Sequence, residues 1–367
     1  MSPGFPGPHD PASSGPEEPG NLRPVTRKSS RARRIVLVCA CVLATMACGA
    51  AVFAYIVVSQ LGANPHRIPD VFRGLNPATR PIMPAATRNS ITILLAGSDI
   101  RSATPTTGSR ATRLPFEPGA QRSDLLMLLH IDADRRHISL VSIPRDSWVP
   151  VPGHGMMKIN AGLSLGGPPL MIATVEHLTN VRINHYALID FDGFQAMVQA
   201  LSDVDVEVAQ QTSSGGFTFH RGLNQLSPAA ALVYVRQRDG LPGGDLSRIQ
   251  RQQNLMRAVL AKTATEHVLT DPVALYRLLS ALTRALSVDS TFTNAQLDTL
   301  AFQLRGLRAR DVTYVTAPVL GFGWRDLQSV VFLDRAKCAQ LWPAIRNDSV
   351  AAFAARYPDT VTPLAPS

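Results

Sequence analysis

RSDLLMLLHIDADRRHISLVSIPRDSWV, residues 122–149, carries two mainly apolar runs, Leu125 to Ile131 and Ile138 to Ile143, each bounded by arginine and aspartate. Runs this short, without polar alternation, read as strands buried on both faces. A third such run, Ile91 to Ala96 (ITILLA), lies upstream. Downstream, Pro168 to Leu178 has helical spacing, with Leu170, Ile172, Val175 and Leu178 mostly on one side and proline in its first turn. Tyr186 to Ile189 and Val204 to Val208 read as further strands, with a helix over Phe191 to Leu201 between them. Ser227-Pro228 has the signature of an N-cap followed by proline at the first helical position. Val312 to Val315 and Ala336 to Ile345 supply a last strand and helix. Buried strands among helices need cover on both faces, so the expected fold is a three-layer α/β/α sandwich with a central mixed sheet.

Residues Ile35 to Val58 form a charge-free stretch of 24, which at roughly 1.5 Å per residue exceeds the roughly 30 Å hydrocarbon core of a bilayer. It is also too long for most signal-peptide cores. Arg27, Lys28, Arg31, Arg33 and Arg34 precede it, which predicts a single-pass transmembrane helix with a cytoplasmic amino terminus and an extracytoplasmic domain. Residues 1–34, rich in Pro, Gly and Ser, read as a disordered cytoplasmic tail. Residues 59–89, with prolines at 65, 69, 77, 81 and 84, read as a linker, and 90–367 as one folded domain. Cys39, Cys41 and Cys48 fall in the apolar stretch, leaving Cys338 alone in the exported part, so neither an intrachain disulfide nor a structural zinc site is expected there.

The net charge of +9 divides into +3 in the tail, from six basic and three acidic residues, and +6 in the remainder. Nucleic acid is a poor partner for an exported domain, whereas anionic envelope polymers and lipid phosphates suit it. Four of the 36 basic residues are lysine, leaving 32 arginines, whose planar forks grip phosphate oxygens bidentately. Asp99 and Arg101 follow the first strand, Arg122 and Asp124 open the second, and Arg145 and Asp146 follow the third behind Pro144. Strand ends are where open α/β sheets collect ligands. Arg236 and Arg238 close the helix begun at Ser227-Pro228. Asp245, Arg248, Arg251 and Gln252 then stand at a helix start, which attracts anions, and the last three fall on one broad face. Arginines mixed with carboxylates suit a diphosphate held with a metal.

In LLAGSDIR (94–101), RSDLLMLLHID (122–132), VSIPRDSWV (141–149), KINAG (158–162) and YVRQRDGLPGGDLSRIQRQQ (234–253), the chain resembles the LytR-CpsA-Psr proteins of bacterial envelopes. It departs from their pattern at Ile100, where a small polar residue is common, and in the twenty residues between Arg101 and Arg122. The resemblance implies a phosphotransferase that moves a glycopolymer from a polyprenyl-diphosphate carrier to the muramic acid of peptidoglycan, leaving a phosphodiester. It implies magnesium at Asp99 and Asp124 and diphosphate binding by Arg101, Arg122, Arg145, Arg236, Arg238, Arg248 and Gln252. Arg145, Asp124 and Asp99 form the implied catalytic set, with Asp245 and Arg251 in support. Lys158 and Asn160 are candidates for ordering the site. The polymer stays open among teichoic acid, capsule and arabinogalactan, the last favoured by the arginine bias. The general base stays open too, with Asp146 and Asp245 as candidates. A polyprenyl-diphosphate pyrophosphatase and a non-enzymatic envelope regulator or lipid-binding module are the competing functions.

Overall fold

The computed structural model describes residues 65–98, 123–189, 194–195, 198–199, 201, 203–237, 240–241, 245–265, 286–304 and 306–363. The expected tail and membrane span therefore lie outside the described residues, as do Asp99, Arg101, Arg122 and Arg238. No helix among the described residues is long and apolar enough to cross a membrane.

In chain order the elements are β1 (His66–Ile68), β2 (Ile91–Ser98), β3 (Ser123–Ile131), β4 (Ile138–Ser142), the hairpin β5 (Trp148–Val151) and β6 (Gly155–Lys158), and helix α1 (Ala161–Thr179). There follow β7 (His185–Ile189), β8 (Val204–Val208), β9 (Thr212–Ser214), β10 (Phe217–Phe219), β11 (Gly222–Leu226), α2 (Pro228–Arg236) and α3 (Asp245–Thr265). The chain continues through β12 (Leu286–Asp289), α4 (Asn294–Gln303), β13 (Val312–Thr316), the hairpin β14 (Val319–Arg325) and β15 (Gln328–Leu333), α5 (Arg335–Arg346) and α6 (Val350–Arg356).

Seven strands form a mixed sheet in the order β1-β12-β7-β2-β3-β4-β13. The pairs β1/β12, β7/β2 and β4/β13 are parallel, the others antiparallel. Successive side chains of a strand point to opposite faces. Leu94, Ala96, Leu126, Leu128, Val141 and Leu188 accordingly pack with Met171 and Val175 of α1 and Leu341 and Ile345 of α5. Ile93, Met127, Leu140, Ala187 and Tyr314 pack on the other face with Leu300 of α4 and Met256 of α3. A separate cluster joins β8, β10 and β11 to α2 and α3 through Val206, Phe219, Tyr234 and Leu255. The Ser227 side chain accepts from Ala230 N, as its cap signature predicts.

Two expectations need correction. Helix α1 begins at Ala161, because a first segment precedes the Pro168 start and joins it across Gly167 (φ 67°, ψ −159°). The prolines disrupt the helical periodicity, which hides that first segment. The folded domain also begins before Ser90: β1 pairs with β12, Ile68 and Val71 lie in the core, and the part-buried Arg80 guanidinium is 2.7 Å from Glu176 of α1. A three-residue strand among prolines has no readable period, so the stretch resembles a linker.

The registers place Ser98 opposite Ser123, Gly97 opposite Ile189, and Ser142 opposite both Met127 and Thr316. The carboxyl ends of β2, β4, β7 and β13 and the amino end of β3 therefore share one end of the sheet. At the opposite end His130 is buried, its Nε2 2.8 Å from Asp348 Oδ1 and its Nδ1 2.8 Å from Thr92 Oγ1. Burial, then the charge of Asp348, pushes the neighbouring Asp132 up to about 6. A carboxyl that holds its proton more tightly when folded stabilises least when ionised, so its contribution falls as pH rises through the interval from about 4 to 6. Asp132→Asn is expected to raise the thermal midpoint at pH 7.5 and to lose that advantage near pH 4; calorimetry at the two pH values decides it.

Candidate functional site

Strand β4 ends at Ser142, and the chain continues into a turn that is tightly fixed. Ile143 N donates to Leu126 O at 2.9 Å, and both the backbone N and the Oγ of Ser147 donate to Pro144 O, at 3.0 and 2.7 Å. Arg145 and Asp146 are the middle residues of this turn. Hairpin β5/β6 then doubles back, pairing Trp148 with Lys158. Ile159 N donates to Ser147 O at 2.8 Å and Asn160 N to Arg145 O at 3.2 Å. Two oxygens of one carboxylate thus face two cations: Asp146 Oδ2 is 3.4 Å from Arg145 Nε, and Oδ1 is 3.0 Å from Lys158 Nζ. These side chains are 14 to 21% exposed, so the triad is partly shielded from water without being sealed.

The triad lines a cleft of about 350 Å³. Trp148 and Asn160 form part of the wall, the first turns of α1 contribute Ala161 and Ser164, and the β14/β15 turn contributes Asp326 and Gln328. Asp326 and Leu327 both adopt positive φ (47° and 60°), giving a tight turn. Val331 N of β15 donates to Asp146 O at 2.9 Å, which fastens this hairpin to the Arg145 turn. The cleft, at the end of the sheet where strands β2 and β4 terminate, offers Arg145 and Lys158 beside the carboxylates of Asp146 and Asp326.

Helix α3 is positioned over the same end by a polar side chain. Gln253 is fully buried, and its Nε2 donates to Ser142 Oγ at 2.7 Å and Val315 O at 2.9 Å, which ties the helix to β4 three residues before Arg145. Gln252 precedes it, and Arg248, 2% exposed, lies one turn earlier. Gln252 Oε1 is buried with no hydrogen-bond partner among the described residues.

At one edge of the expected broad face, Arg251 is engaged by groups of the protein itself. Its Nη1 donates to Gln237 Oε1 at 2.7 Å, its Nη2 to Thr212 Oγ1 at 2.8 Å, and the guanidinium lies over the Tyr234 ring at 4.5 Å. At about 100° per residue, Arg248, Arg251 and Gln252 span an arc of about 100°, with Arg251 at one edge of it, about 60° from Arg248, and Gln252 at the other. Arg251 therefore joins α3 to β9 and the end of α2, and burial lowers its pKa. Arg236 is exposed in the last turn of α2. Asp124 is the second residue of β3 and Asp245 the first of α3. Asp99 adjoins Ser98, and Arg122 adjoins Ser123, which is paired with Ser98.

Sequence reasoning did not foresee the structural part that four residues take. Asp146 holds Arg145 and Lys158 together, yet reads in sequence only as a possible base. Gln253 belongs to the quoted motif, but nothing in its type distinguishes an anchor from a ligand. Asp326 and Gln328 reach the cleft from a hairpin about 180 residues away in sequence, without any local signal.

A profile of the LytR_cpsA_psr family matches residues 73–347, most of the chain. The chain belongs to the LytR-CpsA-Psr family. It is 32% identical over 255 residues to the probable cell wall biosynthesis protein LcpB of Corynebacterium glutamicum, a match covering 69% of this chain and 60% of LcpB. It is 37% identical over 150 residues to the polyisoprenyl-teichoic acid–peptidoglycan teichoic acid transferase TagU of Oceanobacillus iheyensis, covering 39% of this chain and 47% of TagU. The matches thus span about half to six-tenths of the length of these curated relatives. The fold is similar to the crystal structure of B. subtilis TagV, with a TM-score of 0.57, 21% identity and coverage of 71% of this chain and 98% of TagV. It is also similar to TagT bound to LI-WTA, with a TM-score of 0.54, 21% identity and coverage of 71% and 91%.

The structural role of Arg251 is open to a test independent of activity. Arg251→Ala leaves Gln237 and Thr212 without their buried donor and is expected to cost about 2–4 kcal/mol in urea unfolding. Arg251→Lys should recover less than half of that, because an ammonium cannot make both bonds and cover the ring; an unchanged midpoint for either variant contradicts the assignment.

Proposed function

We propose that this protein is a phosphotransferase that moves a glycopolymer from a polyprenyl-diphosphate carrier onto peptidoglycan, working as a single-pass membrane protein with its domain outside the cytoplasm. The observation that carries this reading is the shared sheet end. There β4 runs into the turn that carries Arg145, Ser98 pairs with Ser123, the sequence neighbours of Asp99 and of Asp124, and Gln253 ties α3, the helix of Arg248 and Gln252, to Ser142. The names of LcpB and TagU place those relatives in cell wall biosynthesis and in transfer to peptidoglycan, the same chemical setting.

In the proposed reaction a hydroxyl oxygen of the muramic acid bonds to the phosphorus that carries the glycan. The bridging P–O bond to the carrier phosphate breaks, and polyprenyl phosphate leaves with that electron pair. The hydroxyl proton passes to a base whose identity is open between Asp146 and Asp245. A diphosphate carries two or three negative charges that oppose the incoming oxygen, and pre-positioned cations offset them. Arg145 has the fork geometry for two phosphate oxygens, and Asp146 keeps it and Lys158 from swinging into solvent. Asp99 and Asp124 adjoin strand residues paired across one ladder, and two hard carboxylates are the donor set magnesium takes beside a phosphate ligand. When bound, the ion neutralises diphosphate charge.

Each charge-assisted hydrogen bond contributes about 1.5–3 kcal/mol, or about one to two orders of magnitude in rate. The full-length protein in proteoliposomes, given a synthetic polyprenyl-diphosphate glycan, peptidoglycan chains and magnesium, is expected to yield a phosphodiester-linked product that chelator abolishes. Arg145→Ala and Asp99→Ala should slow product formation at least about tenfold while keeping the wild-type circular dichroism. Carrier cleavage without linkage would instead make the protein a pyrophosphatase, and binding without turnover a lipid-binding module.

A further inference from the structure

The hairpin β14/β15 leaves a set of large apolar side chains uncovered. Phe322 and Trp324 alternate along β14 and so share a face, at 58 and 69% exposure; Leu320, at the bulge before them, is 75% exposed, and Leu327 in the turn 96%. Exposed hairpin faces in soluble proteins usually carry polar or charged side chains, and an apolar cluster of this kind marks an interaction surface. Beside it, Arg325 donates to Trp324 O at 2.8 Å and lies over the Phe332 ring at 4.9 Å. Tryptophan and leucine next to an arginine is the composition found at the water–bilayer boundary.

The route by which the chain enters the domain indicates what covers this face. His66 of β1 pairs with Ser287, Ser287 with Leu188, and Leu188 with Ala96. The chain therefore enters at the end of the sheet where β2 and β4 finish, the end that carries the Arg145 cleft. Only residues 59–65 separate His66 from the apolar stretch that ends at Val58. Seven residues reach at most about 25 Å when fully extended. The hairpin leaves this same end, since β13 finishes with Thr316 opposite Ser142, and its turn residues Asp326 and Gln328 line the cleft.

We infer that the β14/β15 hairpin is a second membrane contact, placing Phe322, Trp324 and Leu327 in the interface of the outer leaflet so that the Arg145 cleft opens at headgroup level. The inference rests on the proposed anchoring and carrier-lipid substrate, and it specifies where that substrate is met. A diphosphate on a bilayer-embedded chain then reaches the cations without its lipid leaving the membrane entirely, and Arg325 faces anionic headgroups.

Tryptophan fluorescence tests this in the full chain, because Trp148, Trp324 and Trp342 are its tryptophans and none lies in the apolar stretch 35–58. Reconstituted in phosphatidylcholine–phosphatidylglycerol vesicles, wild type should be quenched by lipids brominated near the headgroup, and Trp324→Phe should remove most of that quenching. Phe322→Ser/Leu327→Ser, which keeps Trp324, should reduce it at least twofold, with the emission of buried Trp342 reporting an intact fold. Equal quenching in wild type and Trp324→Phe overturns the inference. So does absence of lipid quenching together with a shift of Trp324 emission on adding soluble peptidoglycan fragments, which assigns the face to the acceptor glycan. Quenching does not require turnover, so an inactive but quenched protein retains the hairpin contact while the transferase reading falls, and an active, unquenched one does the reverse.

Discussion

Burial of both faces of β2, β3 and β4 constrains everything else in this domain. Leu94, Leu126, Leu128 and Val141 are sealed under α1 and α5, while Met127 and Leu140 are sealed on the other side. With neither face open to water, charged side chains on these strands are confined to their ends, because an unpaired charge in the layer between sheet and helices costs several kcal/mol. The mixed topology then concentrates them. The antiparallel β3 brings its first residues beside the last residues of β2 and β4, so three segments meet at one end of the sheet.

Most of this was legible in the sequence because continuous apolar runs are strong strand signals and the charges flank them. β2, β3, β4, β7, β8 and β13 fall where the runs predict, and Ser227 caps α2 as its type and the following proline imply. The structure adds the registers, which no local pattern encodes and which convert a list of strand-end charges into a site. β1 and the first half of α1 escaped because prolines interrupt periodicity, although the tertiary contacts of Ile68 and Arg80 override that local cost. The β14/β15 wall of the cleft was illegible for a different reason: its contact with the Arg145 turn is a backbone bond from Val331, which is independent of side-chain type.

The string RIQRQQ shows how far residue type alone carries. Read linearly, its arginines and glutamines form a single polar cluster suited to phosphate. Wound at about 100° per residue, it divides among separate tasks. Gln253 faces the strand ends and bonds to Ser142 and Val315, Arg251 faces Tyr234 and Thr212, and Arg248 and Gln252 lie on the remaining arc. An amide suits the first task because it donates to neutral oxygens without bringing a charge into a fully buried position. A guanidinium suits the second because it can bond at two points while its plane covers an aromatic ring.

That division has a consequence for how the site is held. A helix that carries several cations at one end is repelled from within and gains little from burial of its charged face. Here neighbouring residues of the same turn supply anchors: Gln253 fixes the helix to β4 and Arg251 fixes it to β9 and α2. The turn that carries Arg145 is secured in the same manner, by Ser147 and by backbone bonds from Ile159, Asn160 and Val331 rather than by the groups facing the cleft. Side chains on segments fixed in this way lose less conformational entropy on meeting a partner than side chains on mobile segments do, so more of any interaction they make remains as affinity.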